Sequence, residues 1–245
     1  GVNGGLIVVS ADDPSMHSSQ NEQDSRFYGR FAYVPCFEPS DQQEAYDMIF
    51  DAFELSEKYK TPVLFRITTR LAHSRASVIL KDQLPEKELC LPADPLQFVL
   101  LPDVARKKYI SLLSSFESVK YDTRISKYNH FSDGRKSELG IIACGIAYNY
   151  LMENIGDNSE DYPVLKISAY PFPKEVIEDI TSRCGEVLIL EEGAPLVEES
   201  LRGILDNGIK IYGRLDGTVP RDGELNPAIV AKALGYPVSY GENVP

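Results

Sequence analysis

Apolar and polar positions alternate along this chain in a βα rhythm that starts almost at once. Leu6-Ile7-Val8-Val9 is an apolar run that predicts a buried core strand, and a dense polar stretch leaves its carboxyl end. Arg26 to Ala32 predicts the continuation of a helix begun near Asn21, and Val34-Pro35-Cys36-Phe37 a short strand. Ser40 opens the next helix with a capping box, Ser40 to Gln43, and acids in the first turn. Ala45, Met48, Ile49, Ala52, Phe53 and Leu55 form its apolar stripe, and Lys58-Tyr59-Lys60 places cations at the negative end of its dipole. Pro62 to Ile67 predicts a strand with Thr68-Thr69-Arg70 at its carboxyl end. The order β–loop–α–β–α–β is the pattern of a parallel α/β sheet.

From about His73 to Gly140 the rhythm breaks. Lys81 to Pro95 is charged and proline-interrupted and reads as a connector. Asp103 to Phe116 predicts a helix carrying Val104, Ala105, Ile110, Leu113 and Phe116, and Ser118 to Glu138 reads as a polar linker or surface arm. A second α/β unit follows. Its predicted strands are Leu139 to Cys144, Val164 to Ile167, Val187 to Leu190 and Ile209 to Tyr212; its predicted helices are Ile146 to Asn154, Pro173 to Arg183, Leu196 to Leu205 and Pro227 to Leu234. The fold class is therefore α/β with two parallel-sheet units, and no repeat at a solenoid period interrupts it.

Composition narrows the function. A chain of 245 residues with 43% hydrophobic and 25% charged residues is globular and large enough for one or two domains. A net charge of -12 argues against nucleic acid and an anionic membrane face as partners. No apolar run approaches the ~20 residues that span a bilayer, and no signal peptide is recognisable. The scattered Cys36, Cys90, Cys144 and Cys184 lack metal-site spacing and read as small buried hydrophobes, with the cytoplasm as default compartment. The opening Gly1-Val2-Asn3-Gly4-Gly5 lacks a methionine and runs straight into a strand, which points to a piece of something longer.

The chemistry concentrates in Ser10 to Arg26. This stretch holds one histidine, five serines, two glutamines, an asparagine and the acids Asp12, Asp13, Glu22 and Asp24. A turn needs far less hydrogen-bonding capacity, and the carboxyl edge of an open α/β sheet is where ligands bind. His17, Ser18, Ser19 and Gln20 are thus candidates for a substrate or cofactor pocket. The alternative is an N-capping loop whose side chains satisfy free backbone N–H groups. A histidine suits acid–base work near neutral pH, but no third residue completes a nucleophile–histidine–acid set. Arg70 suits a substrate carboxylate, or alternatively a nearby acid of the chain itself. Glu191-Glu192, beside Gly193 and Pro195, reads as a turn with solvated carboxylates, and Tyr170-Pro171-Phe172-Pro173 as the start of a helix. Asp216-Gly217 and Asp222-Gly223 read as turns. As metal–diphosphate loops they lack a glycine before Asp216, where Leu215 stands, and the asparagine at a suitable distance, Asn243, lies in a polar tail. No glycine-rich phosphate loop is present.

His17-Ser18-Ser19-Gln20, Glu22, Glu38-Pro39-Ser40-Asp41 with Glu44-Ala45, and Thr61-Pro62-Val63-Leu64-Phe65-Arg66 together resemble the pyrimidine-binding domain of thiamine diphosphate enzymes. The fuller string Ala11 to Asp24 resembles the 2-oxoacid:ferredoxin oxidoreductases, and within them the α subunits of indolepyruvate ferredoxin oxidoreductases. The likeness continues through Thr68-Thr69-Arg70, Gly140 to Gly145, Tyr170-Pro171, Glu191-Glu192 and Gly223-Glu224-Leu225. It implies residues 1–75 as the C-terminal part of a pyrimidine-binding domain, 76–138 as a connector with one helix, and 139–245 as a transketolase C-terminal-like domain. It further implies oxidative decarboxylation of an aryl 2-oxo acid to an acyl-CoA, with ferredoxin as electron acceptor. Thiamine diphosphate, Mg and 4Fe-4S clusters are implied for the full-length protein. The glutamate that activates the cofactor, the Mg–diphosphate domain and the cysteine-rich segment are missing from this sequence, so this central fragment is expected to bind no cofactor tightly and to be inactive alone. On the same resemblance His17 and Gln20 face the reacting centre, Ser19 and Arg70 touch substrate, and Asp12 and Asp13 touch cofactor. The implied partners are a β subunit, ferredoxin, CoA, the 2-oxo acid and a second copy in a homodimer. The alternatives are a non-catalytic dimerisation module, a pyruvate or 2-oxoglutarate ferredoxin oxidoreductase subunit, and, less well matched, a transketolase-like enzyme.

Overall fold

The computed structural model describes residues 1–88, 91–124, 126–202 and 209–238. Cys90, Asn243 and the end of the helix expected to reach Leu205 lie outside these residues. In chain order the elements are β1 (Ile7–Asp12), α1 (Arg26–Ala32), β2 (Cys36–Phe37), α2 (Gln42–Tyr59), β3 (Val63–Thr68) and α3 (Thr69–His73). After a surface segment come α4 (Pro102–Arg124), β4 (His130–Ser132), β5 (Leu139–Cys144), α5 (Ile146–Ile155), β6 (Val164–Ile167) and β7 (Ala169–Tyr170). The chain continues with α6 (Lys174–Thr181), β8 (Glu186–Leu190), α7 (Leu196–Arg202), β9 (Lys210–Tyr212) and α8 (Pro227–Ala233).

Two sheets result. The first has the order β1-β3-β2-β7, the second β4-β6-β5-β8-β9. All pairings are parallel except β2 with β7 and β4 with β6. The second sheet shows why its strands were legible. The central strands β6, β5 and β8 are covered on both faces, so they read as near-continuous apolar runs. Ile142, Leu165, Val187 and Ile189 pack with Val176, Ile177, Ile180, Val197 and Leu201 of α6 and α7. The intervening Ile141, Ala143, Leu188 and Leu190 pack on the other side with Ala147, Leu151, Ile155 and Val230 of α5 and α8.

The first sheet corrects the reading of β1 as a buried core strand. Among the described residues it stands at the sheet's edge and pairs with β3, in the register Ile7 with Val63 through Asp12 with Thr68. Val8 is 47% and Val9 58% exposed. An apolar run reports hydrophobicity, not how many neighbours the strand has. Three further differences have local causes. The helix expected from Asn21 begins at Arg26, because Ser25 is held in the loop by Asp12. The α2 N-cap is Asp41 rather than Ser40: Asp41 Oδ1 accepts from the Glu44 N–H at 2.8 Å, and the Glu44 carboxylate reaches back to the Ser40 N–H and hydroxyl. Residues 118–138 are not a surface arm. The helix α4 runs on to Arg124, and β4 joins the second sheet.

The two sheets are tied together at Ser168. The chain leaves β6 of one sheet and enters β7 of the other across this single residue. Asn129, buried in the segment read as linker, supports the switch. Its Oδ1 accepts from the Ser168 and Ala169 N–H groups, each at 2.9 Å, and its Nδ2 donates to the Ala169 carbonyl at 2.8 Å. The Ser168 carbonyl in turn accepts from the Glu38 N–H of the first unit at 2.8 Å. Cys36, Cys144 and Cys184 are free and buried, as small hydrophobes are. Among the described residues no helix is long and apolar enough to cross a membrane.

Candidate active site

Asp12 and Asp13 at the end of β1 build the polar loop. Asp13 accepts from the N–H groups of His17, Ser18 and Ser19 at 3.1, 2.8 and 2.9 Å and from the Thr69 hydroxyl at 2.9 Å. These bonds, the one from Ser18 foremost, hold its carboxyl well below the usual carboxylate range. They also keep Ser15 and Met16 in left-handed backbone conformations, φ 70° and 54°, which cost non-glycine residues energy. Asp12 closes the other end: Oδ2 accepts from the Ser25 N–H at 2.7 Å and from Arg66 Nε at 2.6 Å. The two candidate cofactor contacts are thus occupied within the loop's own scaffold. Ser19 and Gln20 are drawn aside as well. The Ser19 hydroxyl accepts from Gln23 Nε2 at 3.3 Å, and Gln20 is exposed to solvent.

His17 and Arg70 meet. The loop after β1 brings His17, and α3 after β3 brings Arg70, to one cavity of about 930 Å³. Ser40 and Gln42 at the start of α2 and Ile146, Asn149 and Tyr150 of α5 line it too. Each of these segments follows the carboxyl end of a parallel strand, so the cavity lies where the carboxyl edges of both sheets converge. Leu71, Ile146 and Met152 give it an apolar wall. Glu224 reaches in from the turn before α8; its Oε2 lies 2.7 Å from Arg70 Nη2 and 3.5 Å from His17 Nε2. Sequence reading noted Glu224 only as part of a matching string. Its place in the site comes from a turn some 150 residues from Arg70, which no local pattern reveals.

Behind the cavity is a buried ionic network that the sequence reading missed. Arg66, in the middle of β3, donates to Asp12 through Nε and to Glu38 through Nη1, and to the Glu192 carbonyl at 3.1 Å. Arg26 donates to Asp24 at 2.9 and 2.5 Å, to Glu191 at 2.9 Å, and to the carbonyls of Glu192 and Ala194 at 3.0 and 2.8 Å. Tyr170 donates to Glu38 at 2.8 Å. Glu191 and Glu192, read as a solvated turn, are both buried. They are the second unit's share of the network, because the N–H groups of Val197 and Glu198 at the start of α7 also donate to Glu191. Burial pushes Asp24 up, but Arg26 and Arg66 beside it bring its carboxyl down to about 2. Burial wins at Glu192, whose carboxyl is pushed up to about 7 against the opposing Leu225 N–H, Arg66 and Arg214. The available signal was Arg66 itself: a guanidinium in an apolar strand demands buried acids. Gly193, φ 91°, completes the packing, since a Cβ there would sit 2.8 Å from Asp24 Oδ2 and 3.0 Å from Arg66 Nη2.

No protein-family model matches the chain. Among curated proteins, the indolepyruvate oxidoreductase subunit IorA of Methanothermobacter thermautotrophicus is 40% identical over 240 residues, aligning 96% of this chain with 39% of that subunit. The IorA subunits of Archaeoglobus fulgidus and Pyrococcus horikoshii are 40% and 38% identical over 244 and 258 residues, with 38% and 40% of their lengths covered. The chain therefore spans about two fifths of the length of these relatives. Among solved structures, the 2-oxoglutarate:ferredoxin oxidoreductase of Magnetococcus marinus superimposes on 84% of this chain and 45% of its own, with a TM-score of 0.55 at 13% identity. A split-gene transketolase superimposes on 94% of this chain and 65% of its own, with a TM-score of 0.52 at 15% identity. These two likenesses concern the fold, an α/β architecture of two sheets dominated by parallel strands.

Proposed function

We propose, for a chain that belongs to the family of the indolepyruvate oxidoreductase IorA subunits, that it supplies part of the active site of a 2-oxoacid oxidoreductase. The reaction is oxidative decarboxylation of an aryl 2-oxo acid to its acyl-CoA, with two electrons passing to ferredoxin. The observation that carries this reading is the meeting of His17 and Arg70 at the converging carboxyl edges of the two sheets. Arg70 binds the substrate carboxylate as a charge-assisted pair. His17 offers Nε2 to hold or deliver a proton at the keto oxygen. Leu71, Ile146 and Met152 receive the aryl group.

In reactions of this class thiamine diphosphate, when bound, supplies the carbanion chemistry. Its Mg–diphosphate seat is proposed to lie outside the residues described here. Among them no group of three or more His, Cys, Asp or Glu side chains is placed to hold a metal, and Asp12 and Asp13 are spent on the loop. We assign that seat and the 4Fe-4S clusters to other polypeptide of the full-length protein, whose proposed partners are a β subunit, ferredoxin, CoA and a second copy.

Anaerobic ferredoxin reduction by the complete oxidoreductase tests the reading. With CoA present, indolepyruvate and phenylpyruvate are expected to exceed pyruvate and 2-oxoglutarate by roughly tenfold or more in kcat/KM. Equal or better use of the short acids contradicts the aryl assignment.

A further inference from the structure

The cavity holds polar groups that the proposed reaction does not use. Tyr150 lines the cavity and is buried, and its Oη has no hydrogen-bond partner among the described residues. An orphaned buried hydroxyl is destabilising, a cost that falls away if a second state supplies a partner. Glu224 is a carboxylate that lines the same cavity. It lies on the inner side of the cavity, 10% exposed, whereas the Arg70 and His17 side chains that it bridges are 53% and 47% exposed. Its backbone is fixed: Leu225 is buried in the core and its N–H donates to Glu192 Oε1 at 3.2 Å. Only side-chain rotation is then available to Glu224. Tyr150 and Glu224 line the same cavity, and burial, foremost, pushes the Tyr150 phenol upward, so that it stays a donor.

We infer that Glu224 is a specificity-determining residue whose carboxylate stands on Arg70 and His17 in place of the ligand's carboxylate, and that Tyr150 Oη takes up the Glu224 carboxylate when a carboxylate ligand displaces it. The inference rests on the proposed role of Arg70 and gives the second α/β unit a part in ligand selection. Only one nitrogen of the Arg70 fork is engaged by Glu224. An entering carboxylate therefore begins pairing before Glu224 leaves, and like-charge repulsion drives the exchange. Neutral ligands leave Glu224 where it is.

Phenylacetate and phenylacetamide, matched in shape and different in charge, separate these effects when titrated calorimetrically into the chain. Glu224→Gln is expected to tighten phenylacetate roughly tenfold and to change phenylacetamide less than roughly twofold. Tyr150→Phe is expected to weaken phenylacetate several-fold and leave the amide unchanged. Arg70→Met is expected to abolish the preference for the acid. An acid-to-amide affinity ratio that Glu224→Gln leaves unchanged or lowers, while Arg70→Met still abolishes it, overturns the displacement and spares the cavity reading. A ratio indifferent to Arg70→Met, or no saturable phenylacetate binding to any variant, overturns the cavity reading and the displacement together. Phenylacetate affinity unaltered by Tyr150→Phe overturns the role of Tyr150. Thermal melting confirms that each variant is folded, and Glu224→Ala serves if the glutamine variant is not.

Discussion

Replacing Arg66 with methionine is expected to destabilise the chain by about 3–5 kcal/mol, the cost of leaving a buried ion pair with one partner. The methionine fills similar volume, so lost packing is not the main term. What remains is Asp12 and Glu38 facing an apolar side chain, with Asp24 beside them losing the more distant of its two guanidinium partners. The Glu192 carbonyl loses a donor as well. The damage should reach both units, because this guanidinium joins β3 of the first to the Glu192 segment of the second. For a chain of this size the expected fall in melting temperature is about 8–15 °C. Arg66→Lys keeps the charge but not the fork and should recover only part of the loss. A melting temperature within a degree or two of the parent would show that the network is not a structural keystone.

Glu192→Gln is expected to act in the opposite direction, raising stability at pH 8 by about 3–4 kcal/mol. In the folded chain Glu192 holds its proton to about pH 7, whereas its ordinary value is 4.5. Between those pH values the folded state binds the extra proton, so each rise in pH disfavours folding. The advantage of the neutral acid is complete below 4.5 and gone above 7. An interval of roughly 2.5 pH units at about 1.4 kcal/mol each sets the size of the effect. Glutamine keeps an oxygen for the Leu225 N–H and never has to ionise. Glu191, also raised by burial, contributes with the same sign. Asp24 acts oppositely: its carboxyl is held at about 2, so its stabilisation is present above its ordinary value of 3.8 and lost as pH falls toward 2. Urea unfolding from pH 5 to 8 checks this. The parent should lose stability across that range and the glutamine variant should follow a flatter curve; parallel curves would mean that Glu192 is ionised throughout.

The second unit was readable because its central strands bury both faces and its helices present apolar stripes to them. Residues 118–138 were misread because polar groups secure them: Thr123 donates to the Pro171 carbonyl, Asn129 holds the sheet crossover, and Tyr128 packs on Phe37 while its hydroxyl donates to Asp51. Polarity marks a surface arm only when those groups meet water. The same confusion turned Glu191-Glu192 into a solvated turn; two of the arginines around that segment, Arg26 and Arg66, come from more than 120 residues upstream. His17 and Arg70 were legible as site candidates because each lies just past a recognisable strand. Glu224 and Tyr150 were not, because their roles arise only from the way the two units pack.

On the proposed reading Arg70 receives the carboxylate of a 2-oxo acid in the cavity it shares with His17. Steady-state kinetics of the complete oxidoreductase carrying Arg70→Met is the decisive test. Loss of one charge-assisted carboxylate contact predicts kcat/KM for indolepyruvate lowered roughly a hundredfold, with subunit assembly and cofactor content unchanged. An unaltered kcat/KM in a correctly assembled enzyme would contradict it.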